Sequence, residues 1–358
     1  MREEVVIICP ELSAGRGGVA DYTLRVVEQW EGILPVRFIV PRSIKREPPP
    51  SATEVERSTR ALRRKLPASG GRVLLQYSAY GFDRFGYPRW LLRGLRDWKR
   101  KSGGRLVIMF HEIWTFWPMW NKNYFVQQLH RCDLRMLIAK ADAVFTSTAS
   151  QAAHLHALCP ASAVEILPVG SNIRPLVARE GAREEGMAVL FGLQDSRLHA
   201  LRKMQADLES LASRRVIRKL VSVGGGGTAE DDRAERELLG KLQLAEGYEH
   251  RGVSAEEEIS ALLFSARFGI SVQDELSVTK SGTFMAFAAH GLNILSRFAS
   301  LSQQPPLCWA TSPSELRQGI PEEELRVRGG KLRAWQERTC SWPHIAARFA
   351  DALQTTRQ

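Results

Sequence analysis

The sequence predicts an α/β protein made of two tandem Rossmann-like, doubly wound domains facing across a cleft. Three observations predict it. Short, β-branched apolar runs alternate with longer helical patterns along nearly the whole chain. Runs such as Leu106 to Phe110 are apolar throughout, as expected of strands buried on both faces of a parallel sheet. The length of 358 residues suits two domains of ordinary size, each with its own core.

In the first half, strands are expected at 5–9, 36–40, 73–76, 106–110, 143–146 and 164–167. Helices are expected at 19–29, 55–65, 88–101, 124–141 and 150–158. The polar, patternless stretch from Ser171 to Met187 sets a boundary near residue 175, giving domains 1–175 and 176–358. The rhythm then restarts, with strands at 188–191, 220–223, 248–250, 268–272 and 293–295. Helices at 197–212, 229–242, 255–264 and 283–290 separate them, the third opened by a capping box of Ser254 and Glu257. An amphipathic helix after Pro343 ends the chain and is free to pack back on the first domain.

With 44% hydrophobic and 25% charged residues, the composition excludes a disordered, collagenous or low-complexity chain. No apolar run approaches the ~18 residues of a membrane span. The start, Met1 to Pro10, reads as a first strand and not as a signal peptide. Five scattered cysteines without a CxxC pair point to a reducing, cytoplasmic setting. A formal net charge of +11 favours anionic partners, namely nucleotides, nucleic acid or an anionic membrane surface.

Ligands of open α/β sheets bind beyond the carboxyl ends of the strands, so the loops there carry the argument. After the first strand, Gly15, Gly17 and Gly18 precede a helix whose N-terminal amides suit an anion. The run from Gly15 to Ala20 fits a loose dinucleotide pattern, but residues 10–14 intervene after the strand. Arg42 also stands where the acidic residue of that pattern belongs. A tight turn is the competing account of these glycines.

His111 and Glu112 end the fourth strand, where an imidazole can bond a ligand hydroxyl and a carboxylate can accept a proton. A histidine satisfied by its own loop is the alternative. Five of the nine tryptophans, at 90, 98, 114, 117 and 120, fall in one region and suit either an aromatic wall or core packing. The helix at 88–101 sets Leu91, Leu92, Leu95 and Trp98 against Arg89, Arg93, Arg96, Lys99 and Arg100. It fits an interfacial helix on anionic lipid, or a helix whose leucines pack on the sheet.

In the second half, Gly224 to Gly227 follow a strand and permit close backbone approach. Arg202 and Lys203 are candidate phosphate counter-charges. The strongest segment is Lys280-Ser281-Gly282-Thr283, where an ammonium, hydroxyls and the free amides of a helix start form an anion cradle. Glu275 in the same loop could accept from a ribose. His154, His156 and Cys159 lack a complementary ligand pair, so no metal is expected.

These residues, in order and spacing, resemble the GT-B fold glycosyltransferases, specifically the bacterial group similar to glycosyltransferase family four. The blocks that carry it are the glycine loop before Val19, Leu74 to Phe82 with Phe85 to Leu92, Val107 to Trp114, Ala141 to Ser147, Ile166 to Asn172, and Lys280 to Ser296. The resemblance implies transfer of a sugar from a UDP- or GDP-linked donor to an acceptor hydroxyl in bacterial glycan or glycoconjugate assembly. It implies no metal and no cofactor beyond the nucleotide sugar. The partners would be the nucleotide sugar, a glycan, lipid-linked or other hydroxyl acceptor, and peripherally an anionic membrane, without nucleic acid. Gly17, Gly18, Arg202, Lys203, Glu275, Lys280, Ser281, Gly282 and Thr283 would hold the donor. His111 would contact the transferred sugar, Asp21 or Glu112 would orient the acceptor, and Tyr80, Trp114 and Trp117 would bind it. If transfer inverts the anomeric carbon, the general base comes from Asp21, His111 and Glu112. One departure stands out: where retaining members carry two glutamates eight positions apart, this chain has Val278 and Ala286. That leaves a non-catalytic sugar-nucleotide or glycan-binding module as the second reading.

Overall fold

The computed structural model describes residues 4–12, 18–42, 51–114, 117–121, 123–176 and 183–354. It divides into two compact units. One comprises Met1–Pro168 with Trp342–Gln358, and the other Val169–Ser341.

The first unit runs β1 (Val5–Ile8), α1 (Gly18–Glu28), β2 (Val36–Pro41), β3 (Ala52–Val55), α2 (Thr59–Lys65), β4 (Gly70–Tyr77) and α3 (Ala79–Phe82). It continues with α4 (Arg89–Ser102), β5 (Gly103–Phe110), α5 (Tyr124–Ile138), β6 (Ala143–Thr146), α6 (Ala149–Leu158) and β7 (Val164–Ile166). All seven strands are parallel, in the order β3-β2-β1-β4-β5-β6-β7. The four residues of β1 are all buried because the strand is central and covered on both faces. The order reverses between β1 and β4, which places the unit's binding crevice beyond those strand ends.

Two expectations for this unit change, and one open choice between readings is decided. The helix expected from residue 55 begins only at Thr59, where Ser58 caps it by accepting from the Ala61 amide at 3.1 Å. The residues before it form strand β3, whose short edge pattern gives little periodicity to read. The apolar face of α4 belongs to the core, since Leu91, Leu92, Leu95 and Trp98 are all buried. Trp98 Nε1 also donates to the Pro67 carbonyl at 2.8 Å, so this face cannot lie on lipid.

After the second unit, α13 (Trp342–Gln354) packs against α1, β4 and β5 of the first. Trp30 Nε1 donates to the Ala346 carbonyl at 3.1 Å, Phe349 meets Phe145 edge-on, and Arg348 pairs with Glu165 at 2.6 Å.

The second unit contains β8 (Glu184–Phe191), α7 (Gln194–Ser213), β9 (Lys219–Val223), α8 (Ala229–Lys241), β10 (Tyr248–Arg251), α9 (Glu256–Ser265) and β11 (Ala266–Ile270). Then come α10 (Gly282–Ala289), β12 (Asn293–Leu295), α11 (Pro313–Gln318) and α12 (Glu322–Thr339). Its five parallel strands are ordered β10-β9-β8-β11-β12. Side chains alternate across β8: Val189 and Phe191 join one core with α9, α10 and α12, while Ala188 and Leu190 join another with α7 and α8.

The linker-like composition before β8 conceals a structural residue. Arg183 donates to the carbonyls of Leu263, Phe264, Ala266, His290 and Gly291 at 2.6–3.3 Å, tying the ends of α9 and α10 together. The capping box expected at Ser254 and Glu257 does not form; α9 is preceded by Ala255 without a side-chain cap. Instead the neighbouring Glu256 holds Arg174 through its backbone amide at 2.8 Å and its guanidinium. Capping boxes form at Thr228 with Asp231 and at Ser312 with Glu315.

Candidate functional site

The strand order of the second sheet reverses between β8 and β11, and a cleft of about 530 Å³ lies beyond those strands. Lys280, Ser281, Gly282 and Thr283 line it. Ser281 caps α10 by accepting from the Phe284 amide at 3.2 Å, leaving the amides of Gly282 and Thr283 to open the helix. Gly282 packs beside the Asn172 side chain, which also lines the cleft and would lie 3.4 Å from a Cβ there.

The opposite wall is the start of α7. Gly192, Leu193 and Ser196 line it, and the Gly192 backbone stands so close that a Cβ would lie 3.2 Å from Thr283 Oγ1. Two helix N-termini therefore face one space. Among the described residues that line it, Lys280 is the one cation and no carboxylate is present. Such a cleft favours an anion through its helix dipoles, amides and ammonium together.

A buried ion pair holds this wall. Arg197 is 1% exposed and Glu235 fully buried, joined at 2.8 and 2.9 Å in a two-pronged contact. The third nitrogen of Arg197 donates to the Gly192 carbonyl at 2.6 Å, and Ser222 and Gln194 also donate to Glu235. Burial pushes the Glu235 carboxyl up, but the Arg197 and Ser222 bonds outweigh it and hold it below the usual range. Gly224, at φ +137°, approaches so closely that a Cβ would lie 2.1 Å from the Gly192 oxygen.

Not every expected donor residue is here. Arg202 and Lys203 lie in the third turn of α7 and are exposed outside the lining. Helical rise carries them away from the N-terminus that faces the cleft. Glu275 is exposed and also outside it, while Gln273 and Ser277 of the same loop line it. Gly17 lies outside the described residues. Gly18 is the first residue of α1 in the first unit, and Asp21 lies in that helix's first turn. The signal for Gly192 and Ser196 was the strand end at Phe191, not the charge further along.

In the first unit, His111 follows β5 and is nearly buried at 6% exposed. Its Nε2 donates to Gln76 Oε1 at 2.7 Å, and its ring meets Tyr22 edge-on at 4.8 Å. Glu112 is exposed, and its carboxylate accepts from the Ser78 hydroxyl at 2.8 Å. A fixed imidazole and an accessible carboxylate thus stand side by side at one strand tip.

Tyr80, Trp114 and Trp117 line a second cleft of about 480 Å³, also in this unit. Sequence reasoning missed its floor. His130 Nε2 bonds the Tyr77 hydroxyl at 2.6 Å, and the Tyr87 hydroxyl donates to Asp133 at 2.5 Å. Burial lowers the His130 imidazole to about 4, with Asp133 opposing, so it is neutral near pH 7. The pattern that placed His130, Asp133 and Gln127 inward was the buried face of α5.

No group of three or more potential metal ligands occurs among the described residues. His154 and His156 are exposed on α6, and the Cys159 thiol lies 3.2 Å from the Ser162 hydroxyl.

No protein-family model and no curated protein matches the sequence. Solved structures do match over nearly the whole chain. Sucrose-phosphate synthase from Thermosynechococcus elongatus is 13% identical with a TM-score of 0.66, covering 98% of each chain. HepE from Anabaena, solved with UDP and glucose, is 11% identical at 0.59, covering 99% of this chain and all of its own. WaaG, a glycosyltransferase of lipopolysaccharide biosynthesis, is 14% identical at 0.53, covering 98% of this chain and all of its own. This chain has the GT-B fold.

Within the GT-B fold, the two positions where the resemblance puts glutamates are both core. Val278 is 2% exposed in the short turn Val278–Lys280, and Ala286 is fully buried in α10. No helix among the described residues is long and apolar enough to cross a membrane.

Proposed function

We propose that the protein is a metal-independent glycosyltransferase that takes a UDP- or GDP-linked sugar in the second unit and a glycan or other hydroxyl acceptor in the first. The observation that carries this reading is the carboxylate-free cleft at the switch point of the second sheet, with Lys280 and two helix N-termini around it. UDP and glucose bound in HepE support a UDP-linked donor, and the lipopolysaccharide role of WaaG supports bacterial glycan assembly.

In the reaction, the acceptor oxygen bonds to the anomeric carbon as the bond from that carbon to the diphosphate oxygen breaks. The departing diphosphate gains negative charge. Lys280 and the amides of Gly282 and Thr283 stabilise that charge more than the charge of the bound donor, which lowers the barrier. The acceptor's proton passes to a base, for which Glu112 is the accessible group, with His111 and Asp21 as the other candidates. Tyr80, Trp114 and Trp117 give the acceptor apolar ring faces to rest on.

A thermal-shift screen of nucleotide sugars tests the binding half, because a ligand of the native state alone raises the melting temperature. Release of free nucleoside diphosphate from the stabilising donor tests the chemical half. The core placement of Val278 and Ala286 favours the second reading, a non-catalytic sugar-nucleotide or glycan-binding module. That module would be stabilised by the donor yet leave it intact.

A further inference from the structure

The second unit has a further cavity, of about 770 Å³, at the opposite ends of its strands from the anion cleft. Glu185, Arg267 and Asn293 line it from the starts of β8, β11 and β12, and His290 and Gly291 from the turn after α10. Helix α10 therefore has one of these spaces at each end. Helix α12 forms the remaining wall. Gly329 packs so tightly on the turn after α10 that a Cβ would lie 2.5 Å from the Gly291 oxygen. Arg326, Gly330 and Arg333 follow one another at helical spacing on the same face of α12 and line the cavity.

The charge of this cavity is unbalanced. Four arginines and two glutamates line it, and the acids already have partners: Glu322 holds Arg267, and Glu185 lies 3.8 Å from Arg218. Arg326 finds Glu323, outside the lining, at 2.8 Å. Arg183 and Arg333 meet no acid among the described residues. Arg183 gives its hydrogen bonds to neutral carbonyls, and Arg333 makes no hydrogen bond or ion pair among those residues. Both border Gly291, where a Cβ would lie 3.7 Å from Arg183 Nη2 and 3.8 Å from Arg333 Cβ. Burial, and after it the Arg333 charge, holds the Arg183 guanidinium below its ordinary range. His290 adds no charge near pH 7: burial lowers it to about 4 against its bond to the Ala286 carbonyl, and the two arginines lower it further. Asn293 Oδ1 and Arg267 Nε, in two of the lining residues, are buried without a hydrogen-bond partner among the described residues. A buried donor and a buried acceptor left unmade mark an incomplete polar set.

We infer that this cavity is a second anion site, separate from the nucleotide cleft, for a small phosphomonoester that carries hydroxyl groups. Guanidinium groups present paired donors to phosphate oxygens, and a dianion between Arg183 and Arg333 replaces their repulsion by two attractions. Hydroxyls of the ligand donate to Asn293 and accept from Arg267, which completes the polar set. The volume is that of a site for a small organic molecule and exceeds what a bare phosphate fills. A nucleotide fits poorly. The His290 imidazole is the one aromatic ring among the described lining residues, and both its nitrogens are bonded, to Ala286 and Ser260, so a base has no open ring face to stack on. A lipid fits poorly too, because Leu325 is the one large apolar side chain in that lining and is itself buried. The class that remains is a phosphorylated sugar or polyol. None of this rests on the sugar-transfer reading.

Isothermal titration calorimetry of the full chain at low ionic strength tests it, with glucose 6-phosphate as the probe and glucose and AMP as comparisons. Glucose 6-phosphate is expected to bind wild type, glucose not to bind, and AMP to bind more weakly. Arg333→Ala should weaken glucose 6-phosphate by about fivefold, one charged donor being lost. Gly330→Glu should weaken it by about tenfold or more, because it sets a carboxylate among the phosphate's partners. Both positions are exposed on α12, and a Cβ at Gly330 meets nothing within 4 Å. Melting temperatures of the two variants should therefore not fall, which separates a lost site from a lost fold. Lys280→Ala, in the other cleft, should bind glucose 6-phosphate as wild type does. The inference is overturned if wild type does not bind glucose 6-phosphate at millimolar concentration, or if Arg333→Ala and Gly330→Glu both bind it unchanged. Loss in Lys280→Ala with retention in Arg333→Ala would place the binding in the nucleotide cleft and overturn it as well. Equal binding of glucose, or tighter binding of AMP, would refute the ligand class. UDP affinity, measured on the same preparations, reports separately on the donor cleft.

Discussion

Lys280→Ala is the variant that examines the anion cleft most directly. In a nucleotide sugar each of the two bridging phosphoryl groups carries a negative charge, and Lys280 is the one cation among the described lining residues. Two unit charges about 4 Å apart attract by about 1 kcal/mol in water and about 4 kcal/mol near a protein surface. Lys280 is exposed, so the water limit is the better guide, and two charges give a loss of about 1–2 kcal/mol. That is roughly a 5- to 30-fold weaker dissociation constant for UDP or GDP. Isothermal titration calorimetry at two salt concentrations reads it, and the variant should show a shallower salt dependence because one screened attraction is gone. Arg202→Ala and Lys203→Ala lie outside the lining and should leave the affinity within twofold, roughly the noise of such measurements. Unchanged affinity in Lys280→Ala, or a larger loss in the α7 variants, would refute the assignment of the cleft.

Gly224→Ala should destabilise the second unit by about 2–5 kcal/mol, adding strain at positive φ to a clash with the Gly192 carbonyl. Gly226→Ala, at φ +88° with no neighbour closer than 3.7 Å, should lose only about 1–2 kcal/mol from strain, and urea unfolding compares the two. Burial lowers both His130 and His290 from 6.5 to about 4. Their unfolded forms take up protons first, so stability should be full above pH 6.5 and fall as pH drops toward 4. The loss should be of order 3 kcal/mol for each, and the His290→Gln variant should show a shallower decline in unfolding free energy over that window.

Much of this protein is written along the chain. Apolar runs at strand length, separated by helical periods, specify two parallel sheets because a strand covered on both faces has no polar side to show. The Lys280 to Thr283 cradle was legible for the same local reason: a hydroxyl and a glycine before a small-residue helix specify a cap and open amides wherever the helix goes. The aromatic cleft was legible in part, through Tyr80, Trp114 and Trp117. Its Tyr87 and His130 lining was not, since the loop before α4 and the helix α5 that supply them are far apart in the chain.

What periodicity cannot tell is which face finds a partner. Helices α4 and α5 both show leucines and arginines, yet the fold buries the apolar face of α4 and leaves one of α5 in water. Nor does charge in sequence reveal its destination. Arg183 and Arg197 clamp backbone carbonyls inside the second unit, while Arg202 and Lys203, both between one and two turns further along α7, point to solvent. Helix and strand formation depend on neighbours a few residues away, whereas burial depends on segments a hundred residues apart. Tertiary packing alone therefore kept Arg202 and Lys203 out of the cleft that Lys280 lines and left one face of α5 open.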